Sequence, residues 1–146
     1  MAKRHILIID DDLNLLRSME FILETADFEV SAERNGREAL EKIKINPDHP
    51  PLDLLITDIQ MPGLTGLQLI DEIHRLNISI PILVITAYGG QKLIKELRQR
   101  GCQYYLDKPF DEEKLIKKVL TIFGGKGAGP MRLDMDGNGS IPETNG

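Results

Sequence analysis

Three aspartates, Asp10, Asp11 and Asp58, a hydroxyl at Thr86 and an amine at Lys108 each stand just past the end of a short apolar run. Ile6-Leu7-Ile8-Ile9 precedes Asp10-Asp11-Asp12, Leu54-Leu55-Ile56-Thr57 precedes Asp58, Ile82-Leu83-Val84-Ile85 precedes Thr86, and Tyr104-Tyr105-Leu106-Asp107 precedes Lys108. If these runs are parallel strands of one sheet, their carboxyl ends share an edge, which is where open α/β sheets bind ligands. Carboxylates brought within about 4 Å of one another repel by roughly 4 kcal/mol at an effective dielectric near 20, so something positive must sit between them. Oxygen-only ligands of high charge suit a hard divalent cation, Mg2+ in particular, which takes one or two carboxylates and keeps waters for a phosphate to replace. The chemistry this supports is phosphoryl transfer: Asp58 attacks phosphorus, Lys108 neutralises charge on the transferred group, and Thr86 donates to a phosphoryl oxygen. Taken singly, each residue has a plainer reading as a helix cap, a solvated charge or a partner for a backbone group. Their joint placement at four strand ends favours one shared site.

The elements that must position these residues alternate in period. A strand over 6–9 (β1) is followed by Leu13, Leu16, Met19, Phe21, Ile22 and Leu23 at helical spacing (α1, 13–23), with Asp11 or Asp12 available to cap the start. Residues 28–32 alternate like a partly exposed strand (β2), and 36–45 carry Ala39, Leu40 and Ile43 on one helical face (α2) before Asn46-Pro47 stops them. A strand over 52–57 (β3) leads through Met61-Pro62-Gly63 into an amphipathic helix over 67–76 (α3). Residues 80–85 form β4, with Pro81 tolerable at the strand's start; Leu93, Ile94 and Leu97 mark α4 (93–97), which Gly101 stops. A strand over 103–106 (β5) and the Leu115, Ile116, Val119, Leu120, Phe123 stripe (α5, 115–123) complete five βα units. Near-continuous apolar β1, β3 and β4 demand cover on both faces, which specifies an α/β, doubly wound sandwich around a parallel sheet.

At 146 residues, 41% hydrophobic and 28% charged, the chain suits one folded domain. A formal net charge of -5 argues against non-specific nucleic-acid or anionic-membrane binding and turns attention to proteins and cations as partners. The single cysteine, Cys102, excludes an intrachain disulfide framework and reads as a small packed residue; no signal-peptide pattern or bilayer-length apolar run is present, and the expected location is the cytoplasm. His5, His49 and His74 lack metal-ligand spacing.

Ile8-Ile9-Asp10-Asp11, Thr57-Asp58-Ile59-Gln60-Met61-Pro62-Gly63, Val84-Ile85-Thr86-Ala87 and Tyr105-Leu106-Asp107-Lys108-Pro109-Phe110 together resemble the signature set of two-component response-regulator receiver domains, over about residues 4 to 123. The resemblance implies a flavodoxin-like (βα)5 fold with strand order 2-1-3-4-5. It makes Asp58 the phosphoacceptor of a sensor histidine kinase or phosphotransfer protein, and gives Mg2+ to Asp10, Asp11, Asp58 and the main-chain carbonyl of Gln60. It implies that Thr86 and Lys108 contact the phosphoryl group and that the Lys108-Pro109 peptide is cis. Thr86 and Tyr105 would relay the added charge to an α4-β5-α5 face that includes Lys92, Lys95, Tyr105, Lys114 and Lys118, where a downstream protein docks. A homodimer formed on phosphorylation is compatible with the same logic. Such a domain catalyses only its own phosphorylation and dephosphorylation and is not an enzyme acting on other substrates. A multiple-turnover phosphatase of the haloacid-dehalogenase type would need an acid two residues after the nucleophile, where Gln60 stands; a flavodoxin-like cofactor carrier would need a phosphate loop where three acids stand instead.

The receiver is expected to end at 123, with 124–146 a Gly-rich flexible tail. Within it, Asp134-Met135-Asp136-Gly137-Asn138-Gly139-Ser140-Ile141 matches the first part of an EF-hand loop, but position twelve is Asn145 instead of a bidentate Glu.

Overall fold

Five parallel strands form one sheet in the order β2-β1-β3-β4-β5, flanked by five helices, in a computed structural model that describes residues 3–45 and 51–124. The order of elements is β1 (His5–Ile9), α1 (Leu13–Thr25), β2 (Glu29–Glu33), α2 (Gly36–Ile45), β3 (Leu54–Asp58), α3 (Gly66–Arg75), β4 (Ile82–Thr86), α4 (Gln91–Gln99), β5 (Tyr104–Asp107) and α5 (Glu112–Ile122). Asn46-Pro47, the 125–146 tail and its EF-hand-like stretch lie outside the described residues.

The apolar runs fall where burial on both faces demands them. Every residue of β1, β3 and β4 is buried, whereas β2 and β5 are partly exposed edges. Successive side chains point to opposite faces. Leu7, Ile9, Leu55, Ile82 and Val84 therefore pack under α2, α3 and α4 with Ala39, Ile43, Leu69, Ile73 and Leu97. Ile6, Ile8, Leu54, Ile56, Leu83 and Ile85 pack on the other face under α1 and α5 with Leu16, Met19, Leu23, Leu115 and Val119. Each fully buried Ile or Leu is worth roughly 1.5–3 kcal/mol of transfer free energy, so the two faces together hold the sheet in one register.

Helix ends follow local chemistry. Asp12 caps α1, its carboxylate accepting from the Asn14 and Leu15 N–H groups at 3.0 and 3.2 Å, which resolves the Asp11-or-Asp12 choice. Thr65 and Gln68 form a reciprocal capping box at α3. Asp111 caps α5. Helix α4 starts at Gly90 with no side-chain cap, and Leu97 is its one buried residue. Asp27 and Asn77, with φ of 76° and 59°, turn the chain out of α1 and α3 in the left-handed region, the task Gly101 performs after α4. No helix among the described residues is long and apolar enough to cross a membrane.

Candidate functional site

Register alone brings the reactive residues together. Ile9 pairs with Thr57, so Asp10 and Asp58 follow on adjacent strands; Asp58 pairs with Ile85, and Thr86 pairs with Asp107, which puts Lys108 next along the edge. The Lys108 N–H donates to the Thr86 carbonyl at 2.8 Å, anchoring the amine's backbone to β4. The Lys108-Pro109 peptide is cis.

Asp10 is fully buried and Asp58 is 5% exposed, while Asp11 stands at the rim. One carboxylate oxygen from each of the three lies within 4.8 Å of the others. Asp10 Oδ1 accepts from the Asp12 N–H at 2.9 Å, and Asp58 Oδ1 from the Gln60 N–H at 3.4 Å. Lys108 Nζ sits 3.1 Å from Asp10 Oδ2 and 3.4 Å from Asp58 Oδ2. The first contact is an ion pair without hydrogen-bond geometry, so Asp10 Oδ2 is a buried carboxylate oxygen with no hydrogen-bond donor.

The electrostatics follow from this crowding. Burial, then the neighbouring Asp10 charge, push the Asp58 carboxyl above the usual carboxylate range, against the opposing pull of Lys108 and the Gln60 N–H. Burial works against the Lys108 charge, but the two carboxylates outweigh it and hold the amine above its ordinary value. One amine cannot neutralise three acids. The acid-rich oxygen set, with a buried oxygen left without a donor, fits a hard divalent cation.

Thr86 is buried, and its Oγ accepts from the Tyr88 N–H at 3.0 Å, which leaves the hydroxyl proton available to an incoming oxygen. Tyr105 is half-buried; burial and then Asp107 raise its phenol pKa. Gly89 lies between the two: a Cβ there would meet Thr86 Cγ2 at 3.7 Å, Tyr105 Cε2 at 3.9 Å and Asp107 Oδ1 at 2.9 Å. Gly66, the first residue of α3, packs directly on the Asp58-Ile59 peptide. Its N–H donates to the Ile59 carbonyl at 2.9 Å, and a side chain there would collide with the Asp58 carbonyl oxygen and, at 2.8 Å, with Ile59 Cα.

On the α4-β5-α5 side, Lys92, Lys95 and Lys114 are exposed as expected. Lys118 is not: it is 5% exposed, because its position three residues after Leu115 and beside Val119 turns its stem onto the core. It does not belong to a solvated lysine face. Cys102 is buried and its thiol is pushed up to about 11 by desolvation. Two features escaped the sequence patterning. His5 is buried at the opposite end of β1, its Nε2 2.8 Å from Ser31 Oγ, and Arg34 Nη2 reaches the main-chain carbonyl of Asp11 at 3.4 Å. Neither is visible in periodicity, since both contacts join residues more than 20 positions apart.

Comparison with known proteins gives the same answer along the chain. The family model of the response regulator receiver domain matches residues 6–120. The chemotaxis protein CheY of Thermotoga maritima is 34% identical over 124 residues, 84% of this chain and 98% of that protein. Among solved structures, chemotaxis protein CheY4 of Vibrio cholerae superposes with a TM-score of 0.76 at 28% identity, covering 83% of this chain and 99% of that one. CheY in a CheX-CheY-BeF3-Mg2+ complex from Borrelia burgdorferi gives 0.75 at 26% identity, covering 82% and 89%. The chain spans between 24% and 56% of several curated transcriptional regulators that it also matches.

Proposed function

The chain belongs to the response regulator receiver domain family, whose members are phosphoacceptor signalling switches, and we propose that Asp58 is the residue here that accepts the phosphoryl group. The observation that carries this reading is the meeting of Asp10, Asp11 and Asp58 within 4.8 Å beside Lys108 at the carboxyl edge of the sheet. Asp10, Asp11 and Asp58, with the main-chain carbonyl of Gln60, would hold Mg2+; when bound, the ion supplies positive charge that screens an anionic nucleophile from an anionic donor.

The chain's own residues do the rest. A carboxylate oxygen of Asp58 attacks phosphorus in line, forming an acyl phosphate as the bond from phosphorus to the donor's leaving atom breaks. Asp58 is the last residue of β3, and Gly66 and the Gln60 N–H fix its backbone and one oxygen, so little orientational freedom remains to be lost. Lys108 then exchanges part of its attraction for Asp58 for the phosphoryl oxygens, and the Thr86 hydroxyl donates to another.

The added charge biases a two-state element made of Thr86, the Gly89 backbone and the Tyr105 ring. A shift of Thr86 toward the phosphoryl group vacates the space beside Gly89 into which the ring turns. That changes the α4-β5-α5 surface, here Lys92, Lys95, Tyr105 and Lys114. The donor is a sensor histidine kinase or phosphotransfer protein, and the receiver of the signal is a protein that reads this surface. Chemistry on the domain is limited to its own phosphorylation and dephosphorylation. With acetyl phosphate and Mg2+, the intact mass should rise by one phosphoryl group, and Asp58→Asn should abolish the gain. A wild-type mass that stays constant under those conditions overturns the proposal.

A further inference from the structure

We propose that Arg34 is the residue that receives the anionic phosphodonor at the mouth of the site; this rests on Asp58 being the phosphoacceptor. Ile9 pairs with Glu33 across β1 and β2, and the Asp10 N–H donates to the Glu33 carbonyl, so the next residue, Arg34, emerges beside Asp10 and Asp11. Its guanidinium is exposed and reaches across to the Asp11 carbonyl oxygen at 3.4 Å. That is a main-chain acceptor, which orients the side chain without cancelling its charge.

The acid next to it in the chain is already engaged. Glu33 pairs with Lys42 at 2.7 Å, and Asn35 caps α2 by accepting from the Glu38 N–H at 2.8 Å. Among the described residues Arg34 forms no ion pair with a carboxylate, while the interior amine, Lys108, is held by Asp10 and Asp58. Arg34 is thus an uncompensated cation poised on the rim of an acidic pocket.

The charge balance explains what such a cation is for. Three carboxylates against one lysine leave the pocket strongly negative, and a divalent ion brings it only to neutrality. A phosphodonor carrying two negative charges then meets no net attraction inside, and the planar, five-donor guanidinium at the mouth supplies it. The same cation repels the metal. Its removal therefore has opposite effects on the two ligands, which loss of a purely structural contact would not produce.

The test uses the full 146-residue chain with Arg34→Ala and Arg34→Lys at low ionic strength. The readouts are the second-order rate of phosphorylation by acetyl phosphate and by phosphoramidate, which carries less negative charge, and calorimetric Mg2+ affinity without any donor. A solvent-exposed charge contact, weakened by hydration and counter-ions, typically changes the attraction of an anionic partner by roughly two- to fivefold. Arg34→Ala should lower the acetyl phosphate rate by about that factor, with a smaller loss for phosphoramidate, and should tighten Mg2+ binding. Arg34→Lys should restore most of the rate, and added salt should close the gap. An unchanged rate in Arg34→Ala overturns the inference, as does a rate and a Mg2+ affinity that fall together. A wild type that accepts phosphate from neither donor overturns the phosphoacceptor reading itself, an outcome separate from a phosphorylated wild type matched by Arg34→Ala.

Discussion

Replacing Asp58 by Asn should stabilise the metal-free protein and remove most of its response to Mg2+. Two ionised carboxylate oxygens within 4.8 Å of one another repel by at least roughly 1 kcal/mol at the dielectric of water and about 3.5 kcal/mol at an effective value near 20. Asp58 is 5% exposed, so its charge also carries a desolvation cost. Lys108, 3.4 Å away, offsets part of both, yet the carboxyl is held above its ordinary pKa, so the unfavourable contributions win. Asn removes the charge at nearly constant volume, and the expected net gain in EDTA is about 1 kcal/mol, or a few degrees in Tm for a domain of this size. Saturating Mg2+ at a hundred times its Kd should add about 2.7 kcal/mol to the wild type by mass action and much less to Asp58→Asn, reversing their order. Urea unfolding followed by far-ultraviolet circular dichroism, with EDTA and with Mg2+ at one pH, measures all four states. An Asn variant less stable than wild type in EDTA, or one that gains as much from Mg2+, would refute the claim that these acids are crowded in wait for a cation.

Gly66→Ala should cost about 1–3 kcal/mol through overpacking, and because the collision is with the Asp58-Ile59 peptide it should also slow phosphorylation; unchanged urea stability would show that α3 shifts freely. Cys102, with a thiol near 11 in the folded state against 9.0 unperturbed, has a raised acid pKa, so its contribution to stability is present below about pH 9 and fades as pH rises toward 11. Cys102→Ala should flatten that alkaline decline, and at pH 8 the native thiol should react with a disulfide reagent only as fast as the protein opens. Arg100 forks onto Asp71 of α3 at 2.9 and 3.3 Å and onto Glu96 at 3.2 Å, with both acids partly exposed, so Arg100→Met should cost only about 0.5–1 kcal/mol overall. That loss should concentrate in α4, whose amides should exchange faster than those of α3; uniform exchange across both helices would contradict it.

The sheet was legible because burial on both faces writes itself as unbroken apolar sequence. Ile6 to Ile9, Leu54 to Thr57 and Ile82 to Ile85 cannot be anything but central strands once they alternate with amphipathic helices. The edge strands moved by one residue, 28–32 becoming Glu29–Glu33 and 103–106 becoming Tyr104–Asp107, since a partly exposed strand has no apolar boundary to mark it. Helix α2 begins at Gly36 and ends at Ile45 as its stripe implies, while α4 and α5 begin two or three residues before theirs, in polar first turns that periodicity does not see. The convergence of Asp10, Asp11, Asp58, Thr86 and Lys108 followed from strand ends alone. Lys118 did not: a lysine's charge suggests water, but its four-carbon stem packs as readily as a leucine's. Arg34 was equally hidden, because its role depends on a reach across to Asp11 from the strand beside β1.

The contrast between the two neighbouring helices α3 and α4 has one more implication. Helix α3 is locked at its start by a reciprocal pair of side chains and buries Leu69, Ile70 and Ile73; α4 opens on bare glycines, buries Leu97, and is moored downstream through Arg100. The sheet and α3 thus form the firmer part of the frame, and the weaker anchorage falls on α4, one of the two helices of the proposed docking surface. A protein that docked there would do part of the shaping itself, and its affinity would report how far α4 had already taken up the bound form before contact.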